Sequence, residues 1–329
     1  MIALARVAAT ADGLIARAAT RRSRLIGLAV TRIIIGATTV MYCVADYSRR
    51  EFLWGPHGYI SPRIAAADIP AGGFSLFLAS NSQWWFELVF NLCIVVAAAF
   101  TVFGGRALTV AQAVMLWSLH YRNQDLLDGG DNIAQILVIF MMLTVTNAYL
   151  APGARSRRER MSAGTGQPSA AVLIHNLGAY LVVFQTCVLY LAAGYWKTFG
   201  TVWQDGVAMY YISRVRQFDM IPAFAALMDN PYLGTAICWL TIIIELGFAF
   251  SVLSARPWLR EANILAIEGM HAGIMIFMGL VTFGLIMIGA DSACLRDDDY
   301  RALRAHALSL WTRAASRPAA EPDLESAHA

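Results

Sequence analysis

The amino-acid sequence predicts an all-α fold, a polytopic transmembrane helical bundle of about seven spans within a range of roughly six to eight. Hydrophobic residues make up 58% of the 329 residues and charged residues only 14%, whereas soluble domains carry about 25% charged residues. The mean hydropathy is +0.55. The apolar runs are long and lack the alternation of strands, so they predict helices, which satisfy their own backbone hydrogen bonds in lipid.

Each span needs roughly 20 mainly apolar residues to cross the hydrocarbon core. The predicted spans are Leu25–Asp46, Trp84–Phe103, Ala107–Tyr121, Ile133–Leu150, Ala171–Trp196, Tyr232–Ser254 and Ile264–Ala290. The chain therefore divides into an N-terminal segment at the membrane interface (1–24), a transmembrane domain (25–290) and a polar C-terminal tail (291–329). A Gly-, Ser- and Arg-rich stretch, Gly153–Ser169, predicts a loop between two halves of the transmembrane domain.

The arginines predict the orientation, because short loops rich in Arg or Lys stay in the cytoplasm. They cluster before the first span, after the fourth and after the sixth. We therefore expect a multi-pass protein of the cell membrane with a cytoplasmic N-terminus, whose first partner is the lipid bilayer. Seven spans would put the tail outside. Cys43 and Cys294 would then both lie near outer helix ends, where a disulfide between them is conceivable.

Several functional classes are excluded by missing motifs. The chain has no GxGxxG, no GxxxxGK[ST] and no paired CxxC sequence, so dinucleotide, P-loop and zinc-finger sites are not predicted. A net charge of +3 is too small for a nucleic-acid-binding surface, and we expect no nucleic-acid partner.

Lys197 is the main candidate for chemistry, because 24 of the 25 basic residues are Arg and it is the single Lys. Lys197 lies at the end of the fifth span, beside Tyr195, Trp196 and Trp203. One interpretation is that its side chain extends to the membrane surface, as lysines at helix ends often do. An Arg would serve that purpose equally well in this chain. A desolvated Lys, unlike an Arg, can release its proton and act as a base, and Gly194 would allow a flat ligand or a helix to approach.

Other ionisable residues in the spans are candidates because charges are costly in lipid. Glu268 and His271 are three residues apart and share a helix face. The pair could form a structural hydrogen bond, or it could relay protons or contact a substrate. A third alternative is metal binding, but di-iron bundles need a second Glu-x-x-His sequence, which this chain lacks. Glu245 would neutralise a cation such as Arg32 or Lys197.

A polar turn between the third and fourth spans includes Arg122, Asn123 and Asp131. It fits a solvated turn with a helix N-cap at Asp131 or Asn132. Its acids also fit a cation site, but the EF-hand spacing is absent, and no metal is expected.

These residues resemble the horizontally transferred transmembrane (HTTM) domain family, which includes the vitamin K-dependent gamma-carboxylase and the sporulation-delaying-protein B type of membrane protein. The resemblance covers about Leu25 to Ala290, and the short tail is closest to the sporulation-delaying-protein B type. The matching residues are the run from Tyr190 to Gly206 with Ala193, Gly194, Lys197 and Trp203, together with Gln185, Tyr210, Tyr211, Arg122, Asn123, Gly129, Gly130, Asp131, Glu245, His271 and Phe283.

The resemblance implies that Lys197 is a base that deprotonates a reduced quinone, menaquinol or vitamin K hydroquinone, assisted by His271 and Glu268. The pocket would be formed by Gln185, Tyr190, Gly194, Trp203, Asp205, Gly206, Glu245, Arg122, Asn123 and Asp131. It further implies an exported peptide or small substrate, a small accessory protein, and chemistry related to gamma-glutamyl carboxylation.

Two other functions remain open. The protein would otherwise be a non-catalytic membrane chaperone, maturation or immunity factor for a secreted toxin peptide, or a transporter, although no internal repeat supports transport. The catalytic interpretation also depends on where the last helix begins. A start near Trp258 places His271 about 20 Å along it, whereas a start at Ile264 places it only about 10 Å along, too far from Lys197 to share a pocket.

Overall fold

The computed structural model describes residues 19–70, 73–162, 167–218 and 220–315. Residues 1–18 of the N-terminal segment and 316–329 of the tail lie outside the described residues. Within the described ranges the secondary structure is helical, without strands, which confirms the all-α prediction.

The main helices of the described residues are named in chain order. They are α1 (Leu25–Ala45), α2 (Gln83–Phe103), α3 (Arg106–Arg122), α4 (Gly129–Met141), α5 (Ala154–Ser162), α6 (Ala170–Lys197), α7 (Pro231–Leu253), α8 (Pro257–Met278), α9 (Val281–Ser292) and α10 (Asp297–Ala315). Shorter helices in the connections are Tyr47–Arg49, Arg50–Trp54, Pro62–Ala67, Leu76–Leu78, Gln124–Leu126, Thr201–Gln204, Ala208–Ile212, Arg216–Phe218 and Pro222–Leu227.

The first two helices of the bundle, α1 and α2, run antiparallel. Arg32 near the start of α1 donates to the Phe100 carbonyl near the end of α2 at 3.3 Å, whereas Arg50, beyond the end of α1, pairs with Glu87 near the start of α2 at 3.0 Å. We call the end of the bundle at Leu25 the N-terminal face and the opposite end the distal face.

Four helices are long and apolar enough to cross a membrane, namely α1, α2, α6 and α7. Two apolar helices are shorter, α4 with 13 residues and α9 with 12, so each extends only about 20 Å. The chain is thus a membrane protein. The fourth predicted span is too long, because its helix ends at Met141, and Gly153–Ser169 contains a helix, α5, instead of being loop throughout.

The seventh predicted span is not one helix but a hairpin of α8 and α9. Gly279 has a φ of +71°, a left-handed conformation that a glycine adopts without strain, and the chain reverses there. Gly284 in α9 lies against Met275 and against the His271 carbonyl of α8, so closely that a Cβ would meet both. The apolar composition of this stretch is continuous, which is why its sequence predicts a single span.

The hairpin returns the chain to the N-terminal face, so the C-terminal helix α10 begins on the same face as α1. Asp297 accepts hydrogen bonds from the backbone N–H groups of Leu25 and Ile26 at 3.2 and 2.8 Å. Arg24 donates to the carbonyls of Ala293 and Cys294 at 3.0 and 2.6 Å. The first part of the tail therefore lies at the same face of the bundle as the start of α1, whereas seven spans would put the two on opposite sides. Arg296 and Arg301 of the tail lie at this face.

The core packs in two clusters. The larger joins α1, α4, α6, α7, α8 and α9 with parts of α2 and α3, and the smaller joins the distal half of α1 to α2 and α3. Cys43 belongs to the smaller cluster and Cys294 to the larger. Both are free cysteines near opposite faces of the bundle, so the conceivable disulfide between them is not formed.

Candidate functional site

A cavity of about 630 Å³ lies between α6, α7, α8, α9 and the short distal helices Ala208–Ile212 and Pro222–Leu227. Its wall consists of aliphatic, methionine and phenylalanine side chains and glycines, with few exceptions. The exceptions, which carry polar side-chain atoms, are Tyr190, Lys197, Trp203, Thr241, Glu245 and His271. The wall therefore suits a largely apolar molecule with one polar end.

Lys197, the last residue of α6, forms an ion pair with Glu245 of α7. Its Nζ donates to both carboxylate oxygens of Glu245 at 2.8 Å and lies 5.2 Å from the centre of the Trp203 ring. The side chain of Glu245 is 6% exposed and that of Lys197 is 20% exposed. The lysine thus extends along the helix bundle to a buried carboxylate rather than toward the membrane surface.

Glycines allow α6 and α7 to approach closely enough for this pair. A Cβ at Gly194 would lie 3.1 Å from the Leu246 backbone nitrogen, so the two helices nearly touch one turn before Lys197. Gly206, in the loop that follows α6, lies against Thr235 of α7 in the same way. These two predicted site residues act on the packing around the cavity without lining it.

A second polar group contacts the cavity through His271 of α8. The Tyr190 hydroxyl lies 2.9 Å from His271 Nε2 and donates to Asp291 Oδ2 at 2.9 Å. All three residues are buried. When Asp291 is ionised it takes the single hydroxyl proton, so the imidazole donates from Nε2 and its Nδ1 carries a lone pair.

Two atoms of this group have no hydrogen-bond partner among the described residues, namely His271 Nδ1 and Asp291 Oδ1. Buried polar atoms are rarely left unpaired, because each costs about 1–3 kcal/mol. Tyr190, His271 and Asp291 therefore hold capacity to accept further hydrogen bonds or protons.

Asp291 is the residue that sequence reasoning missed. The predicted seventh span ended one residue earlier, at Ala290, so Asp291 was assigned to the polar tail. The signal that could have identified it is an acid that directly follows a long apolar run and precedes the small residues Ser292 and Ala293.

The start of α8 at Pro257 decides between the two geometries that the sequence allows. His271 lies 14 residues along this helix, which is about 21 Å, and it lines the same cavity as Lys197. Three other predicted site residues, Gln185, Asp205 and Glu268, are not part of the cavity wall.

The polar turn holds the distal loops and lies apart from the cavity wall. Arg122 donates to the carbonyls of Gly55 and Ile60, and the Asn123 amide donates to the Leu53 carbonyl at 2.7 Å. These contacts fix the connection between α1 and α2.

The N-cap of α4 is Asp128, which accepts from the Gly130 and Asp131 backbone, while Asp131 accepts from the Asp128 backbone at 3.1 Å. The predicted N-cap at Asp131 or Asn132 is therefore wrong, because the helix begins at Gly129. No group of His, Cys, Asp and Glu in the described ranges could hold a metal ion.

No family model, curated protein or solved structure matches the chain.

Proposed function

We propose that this membrane protein is an enzyme of the HTTM type, in which the Lys197–Glu245 pair removes a proton from the hydroxyl of a reduced quinone. The observation that carries the proposal is the apolar cavity of about 630 Å³ with a buried ion pair in its wall. Ligand pockets in proteins typically measure about 300–1,000 Å³ and combine apolar walls with a few polar groups.

The residues present fit such a molecule. An isoprenoid tail would contact the apolar wall, which includes several flexible methionines such as Met209 and Met270 that adapt to irregular shapes. The hydroxyl end would face Lys197 and Glu245. A flat aromatic ring would find Trp203 beside the amine.

The pair has one ammonium and one carboxylate, and it can accept a proton in two ways. With both groups charged, Glu245 accepts the proton and the ammonium of Lys197 stabilises the oxyanion that remains. After the pair has shared its proton internally, the neutral amine accepts instead. Only in the second case must Lys197 itself exchange a proton, which an Arg cannot do, and this second case is the one that we propose.

His271, Tyr190 and Asp291 would carry the proton onward or hold the second polar end of the ligand. Their hydrogen bonds at 2.9 Å form a continuous path, and the free lone pair on His271 Nδ1 is a proton acceptor. When bound, the reduced quinone would supply the oxygen-dependent strong base for carboxylation-like chemistry. An exported peptide or small substrate, a small accessory partner protein and a cytoplasmic N-terminus complete the proposal.

A second candidate function is a non-catalytic chaperone, maturation or immunity factor for a secreted peptide. The specific observation in its favour is that Lys197 already has a carboxylate partner at 2.8 Å, as a purely structural ion pair would. In that case an Arg at position 197 would preserve the function.

The test uses the purified full chain in nanodiscs with a naphthoquinone that carries a short isoprenoid chain. Quenching of tryptophan fluorescence measures binding, and chromatography measures oxygen-dependent conversion of the reduced form. Lys197→Arg should bind the quinone like the wild type and lose conversion by about 100-fold or more. Arg155→Lys, at an exposed position of α5 outside the cavity wall, should retain both. Full conversion by Lys197→Arg would exclude the base role, and absence of binding by the wild type would refute the quinone site.

A further inference from the structure

A second, much more polar pocket of about 160 Å³ lies at the N-terminal face. Four arginines from three separate parts of the chain line it: Arg21 and Arg22 ahead of α1, Arg158 in α5 and Arg301 in α10. The ring of Tyr149 forms part of its wall. The pocket thus depends on the return of the chain through the α8–α9 hairpin, which brings α10 beside α5.

The acidic residues near this pocket are already engaged. Asp297 is the only carboxylate that the described residues contribute to its wall, and both of its oxygens accept backbone hydrogen bonds at the start of α1. Asp298 pairs with Arg301. Within the described residues, Arg21, Arg22 and Arg158 have no ion pair with a carboxylate, so the pocket has a clear excess of positive charge.

Arg22 is the strongest indication that an acceptor belongs in the pocket. Its Nε is buried and has no hydrogen-bond partner among the described residues. Burial lowers the pKa of Arg22, because no anion compensates for the lost water. A buried donor atom without an acceptor is costly, and although the Arg22 side chain as a whole is only partly buried, a bound anion would supply the missing acceptor.

Arg158 is held in place with donors to spare. One of its terminal nitrogens donates to the Ala148 carbonyl at 2.7 Å, and the guanidinium lies 4.4 Å from the centre of the Tyr149 ring. A guanidinium has five N–H donors, so most of them stay available. The contact with the ring and the bond to the Ala148 carbonyl hold the guanidinium in place, which favours bidentate binding of an oxyanion.

We infer that this pocket binds a phosphate group, held by Arg21, Arg22 and Arg158. Phosphate offers several acceptor oxygens in the geometry that arginines recognise. Two sources share this chemistry, the headgroup of an anionic phospholipid and a free phosphate. The pocket lies at the start of α1, where a membrane headgroup layer would lie. This position favours the lipid, since basic pockets at such positions bind anionic headgroups.

A bound phosphate would contact three segments of the chain at the N-terminal face. The start of α1, α5 and α10 meet around the pocket, and α10 is otherwise largely exposed. A bound phosphate would therefore stabilise the docking of the C-terminal helix on the bundle.

The test compares lipid retention by native mass spectrometry, with the full chain in detergent that contains equal amounts of phosphatidylglycerol and phosphatidylcholine. The wild type should retain phosphatidylglycerol preferentially. Arg22→Gln and Arg158→Gln should each weaken that preference about fivefold. The matched control is Arg155→Gln, one turn earlier in α5, where the exposed Arg155 pairs with Glu159 outside the pocket, and it should keep the wild-type preference.

A second measurement distinguishes a lipid headgroup from a free phosphate, and a second variant controls for misfolding. Thermal unfolding is measured with inorganic phosphate against chloride at matched ionic strength. Stabilisation by phosphate without lipid preference would assign the site to a free phosphate. Arg22→Lys keeps the charge and loses the planar fork, so it should fold normally and bind less tightly than the wild type. Equal lipid retention and equal phosphate response in Arg22→Gln, Arg158→Gln and Arg155→Gln would overturn the inference.

Discussion

Removing both members of the Lys197–Glu245 pair should cost less free energy of unfolding than the sum of the two single removals. Lys197→Met leaves the carboxylate of Glu245 without a cation, although its side chain is only 6% exposed, and we expect a loss of about 3 kcal/mol in the free energy of unfolding. Glu245→Gln leaves an ammonium that is 20% exposed and can partly reach water. Its cost should be smaller, about 2 kcal/mol.

The double variant tests whether the two residues act as a unit. Lys197→Met with Glu245→Gln removes both charges, so its cost should be about 3 kcal/mol rather than the additive sum of about 5, a coupling of about 2 kcal/mol. Equilibrium unfolding in mixed micelles, followed by circular dichroism, measures all four proteins. The same cycle on the exposed pair of Arg155 and Glu159 should show no measurable coupling. Additive losses at Lys197 and Glu245 would refute the buried pair.

Three further predictions concern the packing and topology of the helices that surround the site. Gly27→Ala should destabilise the protein by about 1–3 kcal/mol, because its new Cβ would overlap the backbone of α9. Burial raises the pKa of Asp299, but hydrogen bonds from Arg260 and from the Arg296 backbone outweigh burial, so the pKa is lowered below 3.8. The stability that Asp299 contributes is therefore complete above pH 3.8 and is lost as the pH falls through the lowered pKa. A cysteine introduced at Ser309 in α10 should be labelled from the membrane side on which α1 begins.

Each of these three has a matched comparison. Gly269→Ala, where no atom lies within 4 Å of the new Cβ, should be neutral or stabilise by up to about 1 kcal/mol. Asp299→Asn should remove the acid-dependent loss of stability in thermal unfolding, and an unchanged pH profile would contradict the role of that pair. A cysteine at the distal position Thr201 should react from the opposite side, and labelling of Ser309→Cys from that same side would disprove the hairpin topology.

Composition and hydropathy predict the class of fold well, because the need to satisfy backbone groups in lipid leaves a long apolar run few alternatives. They do not predict where a run turns. The break at Gly279 lies between stretches that are equally apolar, and a single glycine in such a run fits a continuous helix as well as a reversal. What decides for a hairpin is the close packing of Gly284 on α8, a tertiary contact that no local pattern encodes.

Ionisable residues are rare in the spans, and this rarity is what identifies Lys197, Glu245 and His271 as candidates from the sequence. All three line one cavity. The sequence left open whether Glu245 faces Arg32 or Lys197. Packing decides this, since Arg32 donates to the Phe100 and Leu150 carbonyls instead. Arg122 shows that the same reasoning can fail. The sequence placed it in the pocket, but its side chain donates to backbone carbonyls outside the cavity wall.

The reversal at Gly279 also explains why the site has two polar groups rather than one. In a continuous helix, Asp291 would lie 20 residues beyond His271, about 30 Å away along the axis. In the hairpin, the two are both hydrogen-bonded to Tyr190. The same turn that returns the tail to the N-terminal face thus places a buried acid beside the histidine. A substitution that straightened this turn would disrupt the Tyr190 network and the arginine pocket together, although they lie in different parts of the bundle.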